Sequence, residues 1–282
     1  MSKKIVVGVD FSDCSINALE HAISIAQKAK AGVIMVWVNH LDYSKEIFSV
    51  EPKQLGAEVT ERFEEMIEKF KSKLWGQPLE YRIRKGKVYK EIVGVAEKED
   101  AFLIVIGTHG SSGFEEFWIG SNANRMVSSS KIPVITIRGG IDLGKDLKTI
   151  VMPFDNTKIT RQKLPMTALL AKYFDSEVHI LGLYTSSLED MKFKVRGYAA
   201  QAEDYFKESG IRYKVTFIDA DNITKKTLEY AKEVGANLIS IMTEQETTAS
   251  NLWLGPFAAQ MVNHSPFPVL SVHADKYKFY AG

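Results

Sequence analysis

A chain of 282 residues, 45% hydrophobic and 25% charged, is long enough for two ordinary domains that each bury a core. Its net charge of +1, with no basic face interleaved with aromatics, excludes a global electrostatic pull toward nucleic acid or an anionic membrane. Apolar runs such as 102–106 are too short to span a bilayer, no leader is expected ahead of the strand-like residues 3–7, and the single Cys14 excludes an intrachain disulfide framework. A cytoplasmic location is expected.

Apolar runs rich in β-branched residues alternate with longer segments of helical period, the pattern of βαβ units on a mainly parallel sheet. The first half predicts strands at 4–9, 33–39, 79–84, 102–107 and 133–138, with helices at 13–30, 52–74, 87–98 and 119–128. Ser12 is placed to cap the first helix, whose stripe of Ile16, Leu19, Ala22, Ile23 and Ala26 has core spacing. Cys14, at the start of that helix, is read as a packing residue, with a redox role as the other reading. The segment 40–54 is long and mixed, either a lid or a plain connection. The second half predicts strands at 148–154, 177–184, 212–218, 237–243 and 268–272 and helices at 159–174, 188–209, 222–234 and 256–263. Gly139–Gly144 carries two glycines in succession and no period. Domains are therefore expected over 1–139 and 147–282, joined by a linker at 140–146.

An internal repeat supports two domains of one kind. Ile104–Ile137 aligns without a gap on Ile239–Val272, with roughly a third of positions identical. The first strands also match, one ending at Asp10 and the other at Asp155. The fold class expected is α/β, two tandem doubly wound parallel-sheet domains of strand order 3-2-1-4-5.

In such a sheet ligands bind beyond the carboxyl ends of the strands where the order reverses, here between strands 1 and 4. Strand 1 ends in Gly8-Val9-Asp10, and strand 4 in Ile106-Gly107-Thr108-His109-Gly110, with Gly120-Ser121-Asn122-Ala123 at the next helix start. The spacing G-x2-G-x9-G-[ST] suits a phosphate. Gly107 and Gly110 permit positive φ and close approach of backbone amides, while Gly120 and Ser121 bring free N–H groups at a helix N-terminus. Asp10 is suited to a ribose hydroxyl or a magnesium ion. The plainer alternatives are turn glycines and an Asp10 that begins a turn or caps the helix. His109 is either a phosphate contact or a solvated loop residue.

The run from Ile104 to Ile137 resembles the signature segment of the universal stress protein family, and the opening from Lys3 to Ala26 resembles its first strand and helix. Both halves are covered, which implies a tandem member of an adenine nucleotide alpha hydrolase-like fold. The resemblance implies ATP, or ADP or AMP, in the first domain. Gly8, Val9 and Asp10 would flank adenine and ribose, the backbone of Val38 would face the adenine edge, Ile106 would pack on the base, and Gly107, Gly110, Gly120 and Ser121 would cradle phosphates lined by His109, Asn122 and Ala123. Asn122-Ala123 departs from family binders that place a hydroxyl there. The family's domains commonly pair through their last strands, so the resemblance implies 133–138 and 268–272 side by side, each covering the other's edge, and a chain that is a pseudo-dimer in itself, open to further homodimerisation and to protein partners.

In the second half Gly107 becomes Met242, Gly110 becomes Gln245 and Ser121 becomes Pro256, and Glu244 and Glu246 add negative charge. This copy is not expected to hold ATP in the same way. The function expected is a nucleotide-binding stress-response regulator or sensor. Two other readings stay open: a slow ATPase, for which His109 and Asp10 are the local candidates to order water, and a scaffold that no longer binds nucleotide.

Overall fold

The computed structural model describes residues 3–39, 52–108, 121–139, 144–243 and 254–274. The first half forms β1 (Lys4–Gly8), α1 (Asp13–Ala29), β2 (Gly32–Asn39), α2 (Pro52–Phe70), β3 (Leu79–Lys85), α3 (Val88–Lys98), β4 (Leu103–Gly107), α4 (Ser121–Ser129) and β5 (Val134–Ile137). The second half repeats it with β6 (Thr149–Phe154), α5 (Leu164–Phe174), β7 (Glu177–Tyr184), α6 (Glu189–Glu208), β8 (Arg212–Asp219), α7 (Ile223–Glu233), β9 (Leu238–Thr243), α8 (Pro256–His264) and β10 (Val269–His273). Among the described residues no helix is long and apolar enough to cross a membrane.

The sheet order is β3-β2-β1-β4-β5-β10-β9-β6-β7-β8, so each half has the expected 3-2-1-4-5 order. Strands within a half pair in parallel, because each right-handed crossover carries a helix back across a sheet face. At the middle β5 meets β10 antiparallel, with Ile135 opposite Leu270. The two sheets thus become one, and the last strand of each half covers the other's edge, as expected.

The core continues across this seam. One apolar cluster unites Ile5, Val7, Phe63 and Ile135 with Ile150, Phe206 and Leu270, and a second, on the other face, unites Val6 and Ile104 with Val151 and Ile239. Leu270 is fully buried. Leu270→Ala is expected to lower unfolding free energy by about 2–5 kcal/mol, as large-to-small core substitutions do, measured by urea denaturation with a single transition for both halves.

Two helices differ from expectation. The stretch 52–74 is α-helical to Phe70 and then tightens into a 3-10 turn over Lys71–Leu74. The helix expected at 159–174 is broken: a 3-10 turn covers Lys158–Arg161 and α5 begins only at Leu164. Pro165 is the reason. Deep in a continuous helix its ring would clash with the carbonyl of Arg161, and it has no N–H to donate, whereas the first turn of a new helix accepts it.

The expected linker is tied down at its far end. Ser24 donates to the Lys145 carbonyl at 2.9 Å, and Lys145 pairs with Glu20 at 2.6 Å, holding the Glu20 carboxyl below its ordinary range.

Candidate functional site

The reversal of strand order falls between β1 and β4 in the first half and between β6 and β9 in the second. Because β4 and β5 are parallel, α4 must run back from the carboxyl end of the sheet, so its N-terminus opens onto the β1–β4 crevice. The same holds for α1 between β1 and β2. Two helix N-termini therefore converge there. Ser121, Asn122 and Ala123 are the first three residues of α4, whose N–H groups lack intrahelical acceptors.

Most of the sequence-predicted residues that the structure describes stand at this end of the sheet. Gly8 closes β1, and a Cβ built there would meet Ile92 Cδ1 at 2.9 Å and Ile106 Cγ2 at 3.3 Å. Val9 is buried and its N–H donates to the Val36 carbonyl at 2.9 Å. Strand period two turns the backbone of Val38 to the same side as Val36, beyond the last residue of β1, where a main-chain group can face a ligand. Ile106 and Ala123 lie in one core cluster, so Ala123 has only its backbone to offer, while Asn122 is exposed. His109, Gly110 and Gly120 lie outside the described residues, as do Gln245, Glu244 and Glu246 of the second half.

Gly107 is required for a reason the sequence did not reveal. It has no positive φ. A Cβ there would lie 2.8 Å from Cys14 Sγ and 3.2 Å from the Cys14 carbonyl carbon and oxygen. The glycine lets β4 pass directly under the first turn of α1. Cys14 is correspondingly buried and sits 3.4 Å from the Ile137 carbonyl, which fits the packing reading of this cysteine.

Asp10 begins a turn. Its Oδ1 accepts from the Ser12 N–H at 3.1 Å and the Ser12 hydroxyl at 2.6 Å, while Ser12 caps α1 by accepting from the Ser15 N–H at 3.3 Å. The second half reproduces this with Asp155, which accepts from the Thr157 N–H at 2.9 Å and its hydroxyl at 2.5 Å. The shared pattern D-x-[ST]-x-x-[ST] is legible in the sequence and was missed there. One difference separates the copies. Phe11, between Asp10 and Ser12, has φ 66°, a costly conformation for a bulky residue, and its counterpart Asn156 does not.

The second crevice keeps the place of the first but not its chemistry. It is a cleft open to solvent, walled in part by Phe154, Asp155, Lys163, Met242 and Phe257. By the repeat, Phe257 replaces Asn122, Met242 replaces Gly107, and Lys163 replaces Ala18. Pro153 stands where Gly8 does. It has no N–H for the ladder, and the β6–β9 register ends two residues before it, at Val151. Lys163 is 2% exposed. Its Nζ donates to the Thr160 carbonyl at 2.5 Å and the Thr160 hydroxyl at 3.1 Å and lies 4.6 Å from the centre of the Phe154 ring. Burial pushes its pKa down to about 7, against a smaller opposing pull from Asp155. Lys163 was not singled out from the sequence. The signal was an alanine-to-lysine exchange on the buried face of the repeat's first helix.

These features define a class: two doubly wound α/β units fused through their last strands, each with a crevice at its switch point. A model of the Universal stress protein family matches residues 1–138 and again 147–273, and the chain belongs to that family. Curated relatives match about half of it at a time. A universal stress protein of Methanocaldococcus jannaschii is 34% identical over 144 residues, 48% of this chain and 82% of the relative, and Universal stress protein YxiE of Bacillus subtilis is 28% identical over 151 residues, 49% of this chain and 100% of the relative. The crystal structure of a universal stress protein from Archaeoglobus fulgidus covers 97% of this chain and 99% of its own, with a TM-score of 0.72 at 18% identity, a likeness of fold.

Proposed function

We propose that the first domain binds an adenine nucleotide, ATP or its ADP or AMP relatives, in the β1–β4 crevice, and that the chain acts as a cytoplasmic stress-response regulator or sensor whose paired domains respond to occupancy. The observation that carries this reading is the convergence of the α1 and α4 N-termini beside the Gly107 end of β4, within a segment of G-x2-G-x9-G-[ST] spacing. The strained Phe11, unmatched in the second half, adds to it. In this reading Gly107, Gly110, Gly120 and Ser121 supply main-chain donors to phosphates, His109, Asn122 and Ala123 line them, and Gly8, Val9, Asp10, Val38 and Ile106 surround the nucleoside. One oxygen of Asp10 already holds Ser12. Among the described residues no three His, Cys, Asp or Glu side chains converge, so a magnesium ion would take Asp10 as its protein ligand and the rest from phosphate and water. Domain limits of 1–139 and 147–282 with a linker at 140–146, and a homodimer of the whole chain, belong to the same proposal.

Calorimetric titration of the full chain with ATP tests it. One saturable site is expected. Ser121→Pro, copying Pro256 at the same helical position, removes one donor without disturbing the helix and is expected to weaken ATP by roughly tenfold, the cost of one hydrogen bond to a charged group. Heat of dilution alone from the intact chain would rule the reading out.

A further inference from the structure

We propose that the second-domain cleft is a binding site for a small monocarboxylic acid with an apolar body, its carboxylate paired with Lys163 Nζ. Three observations support this, none of which depends on nucleotide binding in the first domain. The first is charge. Among the described residues no carboxylate forms an ion pair with Lys163, and Asp155, the other charged residue lining the cleft, has Oδ1 engaged by Thr157. The hydrogen-bond partners of this buried ammonium are neutral oxygens beside an aromatic ring, and the pull of Asp155 offsets only part of the cost of its burial.

The second is the walls. Where the first domain has Gly107 and Asn122, this cleft has Met242 and Phe257, joined by Leu183 and Ile241. Apolar walls around one fixed polar anchor are the usual make-up of a small-molecule site. The third is what a phosphate would lack. Pro256 removes an N–H from the start of α8, and a dianion would meet one lysine beside Asp155. A monoanion asks less of one lysine than a dianion does.

Benzoate is the probe and benzyl alcohol its uncharged counterpart, titrated calorimetrically into the full chain. Benzoate is expected to saturate one site, with benzyl alcohol roughly tenfold to a hundredfold weaker, as for loss of a charge-assisted hydrogen bond. Lys163→Met, which keeps the length of the side chain, is expected to weaken benzoate by the same factor while ATP titration is unchanged. Affinity should be level below pH 7 and fall above it, as Lys163 gives up its proton. An excess of ATP should leave the benzoate isotherm unchanged, and loss of ATP binding altogether would leave it untouched as well, which separates this proposal from the nucleotide reading. No saturation by benzoate, equal affinity for benzyl alcohol, undiminished benzoate binding by folded Lys163→Met, or displacement by ATP would each overturn it. The comparison with benzyl alcohol needs no variant.

Discussion

Without ligand, Lys163→Met is expected to stabilise the chain by about 2–4 kcal/mol at pH 7 and below, since apolar replacement of a buried charge removes its desolvation penalty. The folded pKa, about 7, lies below the ordinary 10.5, so the folded state disfavours the proton. Above 10.5 the lysine is neutral in both states and costs nothing. As pH falls from 10.5 to 7 the unfolded chain takes up a proton that the folded chain resists, and the cost grows; below 7 it is constant. The advantage of the methionine variant should therefore be level up to pH 7 and shrink steadily toward pH 10. Lost hydrogen bonds to Thr160 offset part of the gain, which is why the expected value lies below the full titration cost. Urea denaturation of both proteins at pH 6, 8 and 9.5 measures the difference. An advantage that does not change with pH would mean that Lys163 is hydrated in the folded state.

Gly107→Val is expected to destabilise the fold by about 2–3 kcal/mol through overpacking, apart from any effect on a ligand. Two methyl groups would be added where a single Cβ already lies 2.8 Å from Cys14 Sγ. The sulfur can move, but the Cys14 carbonyl carbon and oxygen at 3.2 Å belong to the first turn of α1 and cannot move without it. A double-mutant cycle resolves the cause. Gly107→Ala and Cys14→Ala should each cost stability, and the pair should cost less than their sum by about 0.5–1 kcal/mol, because removing Sγ relieves only part of the crowding. Strict additivity would show that the strand and helix are not in the contact described. Loss of ATP binding in Gly107→Val would thus mix two effects, and for that reason Ser121→Pro is the cleaner probe.

Much of the architecture was legible in the sequence because it rests on periodicity. Strand and helix limits agree with expectation to within a residue or two wherever the stripe is long, as at β2, β7 and α6. They fail at Lys158–Leu164, where Pro165 overrides a pattern that otherwise continues. The repeat announced both crevices and the loss of glycine from the second. It did not announce why Gly107 is a glycine. That answer involves Cys14, 93 residues away in the chain, in the first turn of α1, beneath which the end of β4 passes.

Alone, the amino-acid order determined a doubled α/β chain with one glycine-rich crevice and one altered crevice, since hydrophobic period, glycine spacing and self-similarity are local and additive along the chain. Only the tertiary structure decided that β4 passes so close beneath α1 that position 107 must be glycine, and that Lys163 is buried in the second crevice with no ion pair among the described residues. Those outcomes depend on which distant side chains share a volume from which water is excluded, and a linear pattern carries no measure of that.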